Sequence, residues 1–407
     1  MSRQNSFYGP KALNQWTREV ADAFPQLSQP QAAGLATWSF GMVLAKSCAL
    51  TAVAFFLAKL LTQKFFAVRQ RLREFYLEAP AKAGDHRRDL DVTTCFGPLL
   101  RWILADWKGE RLAVAIDAST LGQLFTVLCI SVVYRGCAIP VAWKIVPATA
   151  KGAWKDTWLK LLEHFQGLVP ADWQVIVLAD RGLYAKWLFD GIRKLNWHPM
   201  LRINCGGRFR PRGWYHFVPL ADLAPHVGSA WRGRGTAFAT REARLECTLL
   251  TCWGEGHAEA WLILTDLPPE QSAASWYGLR SWIEQFFKDA KRGGWQWQQT
   301  RMADAARAER LWLAVAVATL WLIRVGGAEE ETAAEAMPEL DLWPERERPR
   351  TKRWRLVSVF ARGWVVILTA LINKQRLPTG TLIPEPWPLV SQSPDPSQTQ
   401  SKMSRVA

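Results

Sequence analysis

A chain of 407 residues that is 49% apolar and 12% aromatic carries enough core-forming material for two or three domains, which excludes an extended disordered polypeptide. Its 51 Lys and Arg against 36 Asp and Glu leave a formal charge of +15, so an extended polyanion is the expected partner, with an anionic membrane surface as the competing one. Seven scattered Cys without CxxC spacing fit reduced thiols and exclude a disulfide scaffold.

Residues 1–30 are polar and lack the apolar segment of a signal peptide. From Trp16 to about Glu78 the periodicity is helical, with breaks near Pro25 and Pro30. Two apolar runs resemble membrane spans. Residues 41–61 include Lys46 and Lys59, and residues 311–323 are short and closed by Arg310 and Arg324, so both read as buried helices. Residues 45–60, 61–63 and 64–77 read as helix, turn and helix. The second helix bears Arg69, Arg71 and Arg73, which suits either a helix-turn-helix entering a major groove or a solvated basic face. Residues 79–88 read as a linker.

The texture changes at Arg111. Residues 112–117, Leu-Ala-Val-Ala-Ile-Asp, are a nearly all-apolar run ending in a carboxylate, as a central strand would be. Strand-like runs at 124–134 and 137–146 meet through Arg135-Gly136, and 154–165 is amphipathic helix. Residues 174–180, Gln-Val-Ile-Val-Leu-Ala-Asp, repeat the buried strand with a terminal Asp, before Arg181-Gly182, a helix at 183–195 and a strand at 200–203. Three strands, helix, strand, helix, strand is the order of a ribonuclease H-like α/β sheet, with Asp117 and Asp180 at strand ends where ligands gather.

Residues 204–265 read as a β-rich insertion with many Arg, interleaved with Trp214, Trp231, Trp253 and Trp261, a mixture suited to phosphates and unpaired bases. A zinc site from Cys247, Cys252 and His257 is an alternative use of that region. The next segment, 277–291, would place Tyr277, Arg280, Glu284 and Lys291 on one face of a regular helix, opposite Leu279, Ile283, Phe286, Phe287 and Ala290. A surface helix with ion pairs is the plain reading. A carboxylate among cationic and phenolic groups also suits a phosphodiester held beside a divalent cation. A core helix at 305–325, an acidic segment at 328–335, a basic run at 344–355, a last apolar element at 356–372 and a disordered tail from about 384 complete the chain.

Asp117, Asp180 and Glu284 are therefore candidate ligands for two catalytic cations. The spacing Tyr277-x2-Arg280-x3-Glu284-x6-Lys291, with Ile-Asp117-Ala-Ser-Thr and Ala-Asp180-Arg-Gly, resembles the DDE transposases of bacterial insertion sequences, specifically the insertion-sequence-four type, over about residues 111–327. The resemblance implies a ribonuclease H-like catalytic domain at 101–330 interrupted at 204–265; the chain's own pattern adds a helical region at 1–100, expected to bind DNA, and a C-terminal region at 331–407. It implies cut-and-paste transposition with Mg²⁺, for which Mn²⁺ would substitute, on double-stranded DNA at terminal inverted repeats and target sites. A homodimer in the DNA complex, a hairpin intermediate and a bacterial cytoplasmic, nucleoid-associated location go with it. By the same carry-over Asp117, Asp180 and Glu284 ligate metal, while Tyr277, Arg280, Lys291, Lys288 and Arg181 contact DNA and Trp253 or Trp261 stacks on a flipped base. An inactive DNA-binding remnant, a related nuclease that cuts without joining and a membrane-associated basic protein are the rivals.

Overall fold

The computed structural model describes residues 8–85, 87–152, 154–336 and 357–390. From the amino terminus come helices α1 (Tyr8–Ala23), α2 (Gln29–Ala45), α3 (Leu50–Leu60), α4 (Phe65–Tyr76) and α5 (Phe96–Asp106). Strands β1 (Arg111–Leu121), β2 (Phe125–Tyr134) and β3 (Cys137–Pro147), helix α6 (Lys155–Glu163), β4 (Gln174–Ala179), α7 (Lys186–Arg193) and β5 (His198–Arg202) follow in the order read from the sequence. Then come β6 (Arg208–Pro211), β7 (Val218–Pro219), β8 (Ala230–Ala237), β9 (Leu245–Cys252) and β10 (Trp261–Thr265), and last α8 (Ser281–Lys288), α9 (Ala305–Ala336) and α10 (Val359–Ile372). The result is a mixed α/β protein with a large sheet.

Two compact units divide the chain: Met1–Gly109, Ala118–Lys151 and Trp282–Pro384 form the first, and Glu110–Asp117, Gly152–Ser281 and Glu385–Ala407 the second. In the first unit α2 and α4 pack on α9, and Trp16 of α1 stacks on Trp321 of α9 with ring centroids 4.1 Å apart. The aromatic faces of the early helices also pack on α5, where Trp102 lies 5.9 Å from both Trp16 and Phe24.

Helix α9 is buried on all sides from 311 to 325 because nearly every residue there is apolar. At 32 residues it is longer than the run read from the sequence and long enough to cross a bilayer, but 94% of its apolar window lies inside the protein. Helix α10 approaches it at a glycine seam. A Cβ on Gly326 would collide with the Val359 carbonyl oxygen, and one on Gly363 with that of Leu322. Residues 41–61 form two helices instead of one, because Lys46 adopts the left-handed conformation (φ 48°) that ends α2, and α3 starts after a 94° bend. The expected helix-turn-helix becomes α3, a short turn and α4.

In the second unit the strand order is β1-β4-β5-β10-β9-β8-β6-β7. Strands β1, β4 and β5 are parallel, and from β5 onward every neighbour is antiparallel. The β-rich segment thus continues the sheet through β10, which pairs directly with β5. Near the carboxyl end, Trp387 packs on Trp276 at 5.0 Å, and the Trp276 indole donates to the Pro388 carbonyl at 2.7 Å. The basic run at 344–355 and most of the expected disordered tail lie outside the described residues.

Candidate active site

The site grows from the register of two parallel strands. Ile116 of β1 is paired with Ala179 of β4, so the next residues, Asp117 and Asp180, are neighbours on adjacent strands and project to the same face. Both strands are apolar because they are buried on both faces, and the carboxylates begin where that burial ends.

Segment 277–291 is not the single regular helix expected. Ala274–Arg280 is 3-10 helix, Ser281–Lys288 is α-helix and Asp289–Gly293 is a π-helical turn. A uniform rotation of 100° per residue therefore does not hold across it. In the tight first part, side chains three apart eclipse, and Tyr277 and Arg280 stand in line. Both reach the aspartates. Arg280 Nη2 donates to Asp117 Oδ2 at 2.9 Å and lies 3.8 Å from Asp180 Oδ2. The Tyr277 hydroxyl donates to Asp180 Oδ1 at 3.4 Å, and the same oxygen accepts the Arg181 backbone N–H at 2.7 Å.

Asp117 is 18% exposed and Arg280 12%, whereas Asp180 is 37% exposed, so one half-buried cation serves two carboxylates at the edge of solvent. Burial pushes the Tyr277 phenol well above its usual pKa, with Arg280 pulling the other way, and the group stays a protonated donor. Two carboxylates gathered around a positive nitrogen are hard oxygen donors in a setting that calls for positive charge, which fits a divalent cation. Among the described residues no group of three or more His, Cys, Asp and Glu side chains stands together as a metal centre.

The transposase DDE domain family matches residues 110–321, more than half of the chain. The chain belongs to this family. No curated protein matches it. Among solved structures it is similar to the cryo-EM structure of piggyBac transposase synaptic complex with hairpin DNA, at 9% identity and a TM-score of 0.36, over 98% of this chain and 84% of that chain.

The other residues singled out in this transposase fall into two groups, one in each unit. In the first unit, Glu284 and Lys288 are on the exposed side of α8, while Ile283, Phe286 and Phe287 are buried as the apolar stripe requires. Lys291 Nζ donates to Ser119 Oγ at 2.7 Å. Ser119 entered the sequence reading only within Ile-Asp117-Ala-Ser-Thr, past the expected end of the strand, whereas β1 runs on to Leu121. Next to Lys291, Asp289 is 8% exposed, and burial raises its carboxyl to about 6 against the hydrogen bond from Gln285 Nε2 at 3.0 Å.

In the second unit, Trp261 packs edge-on to Tyr277 at 5.3 Å and tilted to His257 at 4.9 Å. The Trp253 indole donates to the His257 carbonyl at 2.9 Å. Arg181 and Arg202 both pair with Glu259, a residue without any sequence signal. The alternative zinc set does not form: Cys247 is buried with its thiol donating to the Leu245 carbonyl at 3.5 Å, and burial pushes it up to about 12.

Proposed function

We propose that this transposase belongs to an insertion sequence of the insertion-sequence-four type and cuts and rejoins double-stranded DNA at the terminal inverted repeats of its own element. The observation that carries the reading is the shared hold of Arg280 on Asp117 and Asp180, with Tyr277 one 3-10 turn earlier on Asp180. Two of the four residues of the Tyr-Arg-Glu-Lys spacing thus meet both strand-end aspartates. The order β1-β2-β3-α6-β4-α7-β5 supports a ribonuclease H-like core.

Asp117, Asp180 and Glu284 are the residues that would hold Mg²⁺ or Mn²⁺. Such ions, when bound, supply Lewis-acid activation of the attacking and leaving oxygens of the phosphodiester. The chain's own groups do the rest. Arg280 balances the aspartates' charge and offers a guanidinium to a phosphate oxygen, Tyr277 adds a neutral donor beside it, and Lys291 and Lys288 supply mobile point charges for the strand. Helices α3 and α4, with Arg69, Arg71 and Arg73, read the inverted repeats in this proposal, and two copies act together on paired ends in the bacterial cytoplasm.

The test is incubation of purified protein with Mg²⁺ or Mn²⁺ and DNA carrying the element's ends. Cleavage at the repeat boundary followed by joining to a target plasmid supports the reading. Cutting without joining favours a nuclease of the same fold, and binding without cutting favours an inactive remnant.

A further inference from the structure

Next to Asp180, two arginines close on one of the chain's own carboxylates. Arg181 Nη1 and Arg202 Nη2 converge on the same oxygen, Oε1 of Glu259, at 2.5 and 2.8 Å. Each guanidinium gives one charge-assisted hydrogen bond to that oxygen, a kind of bond that a phosphate oxygen accepts as well as a carboxylate does. The Arg202 side chain is 17% exposed, and its buried Nε has no hydrogen-bond partner among the described residues.

The cations and the anion are mounted differently. Arg202 ends β5, inside the paired sheet, and Arg181 opens the 3-10 turn directly after Asp180. Glu259 instead lies in the connection between β9 and β10, which contains Gly254 and Gly256, the latter at φ 78°. Glu259 and Arg181 are 40% and 47% exposed, so their pairing is of the weak, solvent-screened kind. An arginine on a paired strand and one on the turn after β4 thus face a carboxylate on a glycine-bearing loop.

We propose that Glu259 is an internal substitute for a DNA phosphate, occupying the Arg181–Arg202 cleft until a phosphodiester of bound DNA displaces it. The cleft would grip the strand one residue from Asp180 and set which phosphate enters the site. This deepens the transposase reading and rests on it.

The test is binding of full-length protein to a fluorescein-labelled duplex of arbitrary sequence, in EDTA, over a range of salt concentrations. Glu259→Gln, which ends the competition, is expected to bind roughly threefold to tenfold tighter, because the Arg181 and Arg202 ion pairs to Glu259 no longer have to open. Its slope of log K against log salt is expected to match that of the wild type, because the same phosphate is held in both complexes once Glu259 has been displaced. Glu259→Asp, which withdraws the charge by one methylene, tightens binding by less. Arg202→Gln weakens binding, and adding Glu259→Gln to it has a smaller effect than in the wild type.

Unchanged or weaker binding by both Glu259 variants, at unchanged melting temperature, overturns the inference. If the wild type still cuts element ends in that case, the transposase reading survives alone. If the Glu259 effect is found but no divalent ion ever gives cleavage, the anion cleft stands and the transposase reading falls.

Discussion

Arg280 Nη2 lies 2.9 Å from Asp117 Oδ2, so the first strand-end carboxylate is charge-balanced from within the Tyr-Arg-Glu-Lys segment. Removing the guanidinium by Arg280→Gln leaves Asp117 and Asp180 facing each other. The variant is expected to lose about 1–3 kcal/mol of stability in EDTA, as two partly buried carboxylates lose a shared cationic partner. Millimolar Mn²⁺ should then raise its melting temperature more than that of the wild type. Equal responses in the two proteins would show that the aspartates do not take up a cation.

Asp117→Asn, Asp180→Asn and Glu284→Gln are each expected to lower cleavage of element ends by roughly a thousandfold or more, with DNA binding retained. Gel-shift and cleavage assays on the same preparations separate the two properties. A variant that cuts at the wild-type rate removes that residue from the metal-binding set.

Lys291→Ala removes the ammonium that rests on Ser119. If Lys291 meets a phosphate, the salt slope of duplex binding should become shallower by about 0.9, whereas Ser119→Ala should leave the slope unchanged. Isothermal titrations at several salt concentrations decide this.

Asp289 gives a pH signature. Its folded carboxyl is raised from 3.8 to about 6 by burial, so the stability it contributes is complete below about 3.8 and is lost as pH rises through about 6. Asp289→Asn should flatten melting temperature between those values. Above pH 6 it should stabilise the protein by up to about 3 kcal/mol, since each pH unit between the unfolded and folded titrations is worth roughly 1.4 kcal/mol. Thermal melts from pH 4 to pH 8 test it, and identical profiles would mean the carboxyl is not held in an apolar setting.

Gly326→Ala or Gly363→Ala puts a methyl group into the opposite helix's backbone. Either is expected to destabilise by about 3 kcal/mol or more, since neither helix can yield without opening the core around α9. Denaturant unfolding measures the loss directly.

The strands and the two aspartates were legible because buried parallel strands announce themselves as continuous apolar runs, and Leu112 to Asp117 and Val175 to Asp180 repeat one pattern. The buried stripe of Ile283, Phe286 and Phe287 was legible for the same kind of reason. Three things were hidden. The change of helical form between Tyr277 and Lys291 is set by packing and leaves no trace in hydrophobic periodicity. The sharing of α9 between early and late helices depends on long-range contacts such as Trp16 on Trp321. Glu259, in a loop, has no periodic context and becomes meaningful only beside Arg181 and Arg202.

A segment wound at three successive pitches behaves like a vernier scale. Deleting one residue within α8 would turn everything after it by about 100°, carrying Lys291 off Ser119 while Tyr277 and Arg280 kept their grip on the aspartates. Residue count here is thus an adjustable dial, separate from residue identity, with which an engineer could re-aim the far lysine and leave the acidic pair undisturbed.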